Sequence, residues 1–189
     1  MFIEFIGGFG GSLVLGSFFE HSIHKYLLHS TPKFLKNNKY VKGMWETHSV
    51  SHHGHYLPDD HYTQDDTNKE EVLAFSWYHG PLIISISSLF VYGITFFIPS
   101  NLFIVLGASI AFTLYYIAYE GLHAIMHVPK KWVWMHNTSF MRWLNRHHYQ
   151  HHIDPRTNLN VIIPIADYVL GTKRRITPEQ RVIADRVAQ

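Results

Sequence analysis

The chain has 189 residues, 47% of them hydrophobic, and its 16 Lys and Arg against 14 Asp and Glu leave a formal net charge of +2. At this length one domain, 1–189, is expected; the charge is too small to suggest nucleic acid, and no repeat points to a solenoid or propeller. There is no cysteine, which excludes disulfides, iron–sulfur clusters and thiolate zinc sites and leaves imidazole and carboxylate as metal ligands.

Residues 1–19 form the first apolar segment, with five glycines and a single acid, Glu4. A carboxylate near a helix end costs less than one at mid-membrane, so a span over about 2–22 is expected. A cleaved signal peptide is the competing reading. It is set aside because no Lys or Arg precedes the apolar run and the next residues already carry histidines, His24 and His29. The following segment, 25–70, is polar and basic and holds His48, His52, His53 and His55. Residues 72–98 and 101–119 contain no Asp, Glu, Lys or Arg and match the roughly 20 residues needed to cross a hydrocarbon core. With a turn at Pro99, Ser100 and Asn101 they predict a hairpin of spans, about 75–98 and 101–122. His123 and His127 follow, and the polar C-terminal stretch 128–189 brings His147, His148, His151 and His152.

All sixteen Lys and Arg fall within 25–69 and 130–186, and the positive-inside rule turns both stretches to the cytosol. Spans one and three then end on that face, where His24/His29 and His123/His127 lie. The expected architecture is an all-α, multi-pass integral membrane protein with about three transmembrane helices. A cytosolic helical cap, 25–70 and 128–189, would hold a histidine-rich di-metal site on the cytosolic side of a bacterial inner membrane or the endoplasmic reticulum.

On an α-helix residues four apart are separated by about 40° and residues five apart by about 140°. His48/His52, His123/His127 and His148/His152 are therefore pairs able to grip one ion, whereas His24 and His29 are splayed, and His53 and His151 point away from their neighbours. No single ion collects all these nitrogens; two adjacent ions would. Glu20 lies four before His24, and Glu120 shares the stripe of His123 and His127. Both are candidate catalytic carboxylates, placed to touch a metal directly or to fix the tautomer of an imidazole that does.

One HxxxH pair is weak evidence, because histidines also cap helices or sit satisfied at interfaces. Four boxes on one face are not easily explained that way, since polar groups at a membrane boundary are costly unless used. His21, His61, His79 and His136 are assigned to the surface or an interface rather than to a metal. Tyr115, Tyr116 and Tyr119 read first as an interfacial belt or helix packing and second as a cavity wall. Lys173, Arg174 and Arg175 read as a patch for anionic headgroups.

The boxes resemble the fatty acid hydroxylase superfamily of membrane lipid hydroxylases, sterol desaturases and carotenoid hydroxylases over roughly residues 15–172. Glu20 through His29 resembles its Glu-x3-His-Arg/Lys-x3-His box, and Tyr119 through His127 its Tyr-Asp-x2-His-x3-His box. His148-Tyr149-Gln150-His151-His152 and the segment from Asn158 to Thr172 resemble its last box and its Asp-x-Val-Phe-Gly-Thr ending. The second box departs from the pattern: His48, His52 and His53 are spaced one residue longer than usual. The register is therefore open between those three and a slipped set that includes His55.

The resemblance implies two iron ions, with zinc as an occupant on isolation, and O2 as co-substrate. It also implies an electron-transfer protein acting in trans, of cytochrome b5 or ferredoxin type, and hydroxylation of a membrane lipid or similarly hydrophobic substrate. Desaturation on the same centre is the nearest alternative. A non-catalytic zinc-binding or zinc-transporting membrane protein is the alternative of another class; transport calls for ionisable residues at mid-membrane, and apart from His79 the histidines cluster at one end of the spans.

Overall fold

A computed structural model describes residues 1–63, 79–97, 102–128 and 132–187. Every regular element among the described residues is helical. α1 (Phe2–Ile23) passes without a break into a π-helical turn over His24–Leu28. α2 (Lys39–Trp45) is capped by Asn38, whose side chain accepts hydrogen bonds from the Tyr40 and Val41 amides at 3.0 and 3.2 Å. It runs into a second π-helical stretch, Glu46–His52, and the short α3 (His53–His55). The two apolar helices α4 (His79–Thr95) and α5 (Leu102–His127) follow. The C-terminal part holds α6 (Val133–His136), α7 (Ser139–Ile153), α8 (Ile165–Val169) and α9 (Pro178–Val187).

α1 and α5 run parallel because their small residues share one seam. Gly8 lies against the Ile104 backbone, Gly107 against the backbone of Phe5 and Phe9, and Gly16 against the Tyr115 ring. A Cβ at Gly8 or Gly107 would collide with a main-chain carbonyl, so glycine is what lets these helices approach. The matching register carries both C-termini to the same end of the molecule, where His24 and His29 follow α1 and His123 and His127 end α5. α4 returns alongside α5, with Gly80 on Tyr116 near one end and Val91 clustered with Ala108 and Phe112 farther along.

The segment Phe2–Leu28 and α5, with 27 and 26 residues, are long and apolar enough to cross a membrane. α4 is apolar but shorter, with 17 residues. The expected span 75–98 is thus described only in part; residues 75–78 and 98, with the turn expected at Pro99 to Asn101, lie outside the described residues. α5 continues five residues beyond its expected end, to His127, and so carries the histidines on its own last turns.

The remaining helices and loops pack on the histidine end. Thr138 caps α7 by accepting the Met141 amide at 3.2 Å, and Met141 and Leu144 of α7 join Tyr119, Ile125 and Met126 of α5 and Val161 in one core. A second core joins Tyr62, Tyr149 and Ala184, tying α9 to α7 and to the loop after α3.

Candidate metal centre

Nine imidazoles from all four boxes converge in two groups. In the first, one ring nitrogen from each of His52, His123, His127, His148 and His152 lies within 4.8 Å of the others; the second gathers His24, His29, His48 and His151 in the same way. Only His29 is not fully buried. Each group could hold a metal ion. The groups share a wall, with His48 stacked on His52 at 5.0 Å and His53 stacked on His152 at 4.3 Å between ring centres.

The π-helical turns explain which histidines meet. A π-helix bonds i to i+5, and the His29 amide donates to the His24 carbonyl at 3.1 Å. This brings the two rings, expected to diverge on an α-helix, into a stack at 5.0 Å in one group. The Glu46–His52 stretch has the complementary effect. His48 and His52, expected to grip one ion together, lie side by side but serve different groups. His123/His127 and His148/His152 sit on regular α-helix and pair as their spacing predicts. His53 approaches His151 with Nε2 to Nε2 at 3.2 Å and borders the second group. His55 packs on Tyr56; like His53 it belongs to neither group, so from this box the two groups take His48 and His52.

Backbone carbonyls hold the rings. The Nδ1 atoms of His24, His127, His151 and His152 face the carbonyl oxygens of Leu159, Tyr62, Thr157 and Tyr56 at 2.5, 2.9, 2.9 and 2.7 Å. A carbonyl only accepts, so Nδ1 carries the hydrogen and Nε2 presents a lone pair. Ser49 donates its hydroxyl hydrogen to the Leu28 carbonyl and therefore accepts from His29 Nδ1 at 3.0 Å.

The consequence is a set of closely spaced Nε2 atoms, among them one pair of facing lone pairs. His29 and His151, both with Nε2 unprotonated, approach at 3.0 Å. His127 and His152, each with an Nε2 lone pair, both approach His148 Nε2 at 3.1 Å, and His24, likewise with an Nε2 lone pair, meets His48 Nε2 at 2.8 Å. Two acceptors at such distances repel unless a cation lies between them. Adjacent imidazoles on an ion with metal–nitrogen bonds of about 2.1 Å at right angles stand about 3.0 Å apart, which these separations match. His123 also fits an ion: it is buried and, among the described residues, neither ring nitrogen has a hydrogen-bond partner.

The rings are neutral and ready to ligate. Burial, reinforced by His151, pushes His29 down to about 3. Burial likewise takes His151 to about 4, against the Thr157 bond that favours its charged form. His48, His52, His148 and His152 are held well below the usual histidine value by burial and then by neighbouring imidazoles.

Glu20 does not take the place expected for it. Glu20 is spent on the loop after α7: its oxygens accept from the Val161 amide at 2.6 Å, the Tyr115 hydroxyl at 2.6 Å and Asn160 Nδ2 at 3.0 Å. Glu120 accepts the Tyr116 hydroxyl at 2.8 Å. The tautomer-fixing partner of His24 is a carbonyl instead. His21, His79 and His136 stay outside both groups as expected, but they are buried rather than superficial; His21 Nε2 bonds Thr172 Oγ1 and His136 Nε2 the Ile125 carbonyl. His61 is exposed beside Asp59. Of the basic run, Arg174 and Arg175 are exposed, while Lys173 turns inward to His147 Nδ1 at 2.5 Å.

Sequence reasoning passed over Tyr56, Tyr62, Thr157 and Leu159, whose carbonyls hold the ligands, and Asn158, Asn160 and Asp167, which brace the loop that carries two of those carbonyls. The one available signal was Asn158-x-Asn160 set in an apolar run within the segment that resembles the family ending.

A cavity of about 610 Å³, counting its open mouth, lies between α1, α4 and α5. Phe19, Ile23, Ile83, Phe112 and all three of Tyr115, Tyr116 and Tyr119 line it, and His24 of the second group stands in its wall. The tyrosines therefore form the cavity wall that ranked second among their expected roles. No protein-family model, curated protein or solved structure matches the chain.

Proposed function

We propose that the protein is an O2-dependent di-iron hydroxylase of a membrane lipid or similarly hydrophobic substrate. The observation that carries this reading is the meeting of an apolar cavity with two all-imidazole groups. The resemblance of the four boxes to the fatty acid hydroxylase superfamily supports it and favours iron over the zinc that the same ligands would accept.

A membrane location is supported by an inverted pattern of polarity. α1 buries Gly8, Ser12, Gly16, Ser17 and Glu20 while exposing Phe2, Ile3, Ile6 and Val14; α4 exposes Leu82, Ile86 and Leu89; and α5 exposes Leu102, Leu106, Ile110 and Ile117. Only 22% and 28% of the apolar stretches of the two long helices are buried, whereas the core helix of a soluble protein would be mostly covered. With α4 as a third span, the histidine end faces the cytosol with the basic segments.

Two iron ions so held would supply the oxidation of a C–H bond to C–OH by O2, with two electrons and two protons from an external donor leaving the second oxygen as water. The protein's own residues do the rest. The carbonyls of Leu159, Thr157, Tyr56 and Tyr62 lock four rings with Nε2 inward, so the ligands need no reorganisation. Phe19, Phe112 and the tyrosines exclude water and admit an acyl or comparable chain from between the helices, toward His24. The electron donor docks in trans from the cytosolic side.

Anaerobic reconstitution with iron, followed by O2-uptake measurement with a chemical reductant and candidate lipids, tests the proposal. It predicts two irons per chain, lipid-dependent uptake and a product heavier by one oxygen. A new double bond without oxygen would reassign the centre to desaturation, and bound zinc with no uptake under a competent reductant would contradict an oxygenase.

A further inference from the structure

We infer that Asp167 is a positioning residue for the second histidine group, acting on His24 through the single peptide group that joins Leu159 to Asn160. The inference rests on the reading of that group as an ion site.

Both polar ends of this peptide are engaged at once. Its N–H, on Asn160, donates to Asp167 Oδ2 at 2.9 Å, and its C=O, on Leu159, accepts His24 Nδ1–H at 2.5 Å. A carboxylate bonded to the N–H draws the amide dipole toward itself and makes the carbonyl a stronger acceptor, because hydrogen bonds in a chain polarise one another. The arrangement is a carboxylate–histidine–metal relay with a peptide inserted.

The neighbouring peptide repeats the theme. The Thr157 carbonyl accepts from His151 Nδ1 at 2.9 Å, while the Asn158 amide of the same peptide donates to the Thr172 carbonyl at 3.1 Å. Thr172 is itself held to Asp167, by its hydroxyl on Oδ1 at 2.6 Å and by its amide on the Asp167 carbonyl at 2.9 Å. Asn158 takes a left-handed backbone, φ 49°, and stays there because its side chain donates to the His147 carbonyl at 2.9 Å and accepts the Arg174 amide at 2.7 Å. Two ligands of one group, from the π-helical turn after α1 and from α7, are thus referred to one carboxylate. The first group is backed by a different loop, through Tyr56 and Tyr62.

The carboxylate is fully buried, and its charge is matched through an imidazole. An ammonium has only hydrogens to offer, so Lys173 donates to His147 Nδ1, and His147 Nε2–H faces Asp167 Oδ2 at 3.2 Å. Burial is the largest influence on the Asp167 carboxyl and works against ionisation; the bonds from His147, Thr172 and the Asn160 amide outweigh it and hold the group below the usual aspartate value.

The test is a cobalt(II) titration of the metal-free, full-length protein in detergent, followed by visible absorption, on the wild type, Asp167→Asn and Thr172→Val. The wild type takes two ions. In Asp167→Asn, which keeps the shape and removes the charge, uptake into the second group weakens by about 10–100-fold and its absorption bands shift, while uptake into the first is unmoved. Thr172→Val, which removes one bond to Oδ1, weakens the same step by about five-fold. Equal weakening of both steps, or no change in either, at wild-type helical content would overturn the inference. If Asp167→Asn does not fold, an unchanged second step in Thr172→Val overturns it alone. Fewer than two ions in the wild type would instead remove the ion-site reading, and the inference with it.

Discussion

The two histidine groups are built from the same ligand type and share a wall, yet they are supported differently. The first has five rings, all buried, backed by carbonyls of the loop 56–62, which aromatic packing of Tyr62 on Tyr149 and the hydrogen bond from the Tyr149 hydroxyl to the Pro58 carbonyl hold in place. The second has four rings, one of them partly exposed, and His24 stands in the cavity wall. Under the proposed function, the first would retain an ion and the second would present one to a substrate.

Removing ligands should break this contrast most completely. His148→Ala deletes the ring whose Nε2 meets both His127 and His152; turnover should fall to background and metal analysis should find the first-group ion lost. His48→Ala should cost the second-group ion instead, and His55→Ala should leave both ions in place. Loss of metal in His55→Ala would reverse the assignment of the second box.

Acid should act next. His29 and His151, set by burial to about 3 and about 4 against an ordinary 6.5, take up protons in the unfolded chain at a pH where the folded chain does not. The unfolded state then binds more protons, so the metal-free protein loses stability as pH falls from about 6.5 toward 3. Thermal unfolding followed by circular dichroism at stepped pH checks this, and a midpoint that rises on acidification would contradict the neutral-imidazole picture.

The pattern of what was legible follows from where the information resides. His123/His127 and His148/His152 could be paired from spacing because their helices are regular. His24/His29 and His48/His52 could not, because a π-turn changes which residues stack and residue type alone does not announce one. The supporting bonds were hidden for another reason. Carboxylates are visible in a sequence and carbonyls are not, so Glu20 and Glu120 drew the role that Leu159, Thr157, Tyr56 and Tyr62 fill with backbone atoms. The long apolar helices were legible throughout, since their length and composition are the signal.

Smaller substitutions sharpen the contrast. Ile83→Trp narrows the cavity without touching a ligand; turnover of long-chain substrate should drop by about ten-fold with both ions retained, and a loss of metal would break the separation between access and retention. Tyr149→Phe removes one hydrogen bond to the loop 56–62 and should weaken only the first group, by about five-fold in a metal titration.

The most direct test of the paired centre is anomalous diffraction at the iron edge from crystals of the iron-loaded protein. The account predicts two peaks, one among His127, His148 and His152 and one among His29, His48 and His151. A single peak, or peaks remote from these rings, would contradict it.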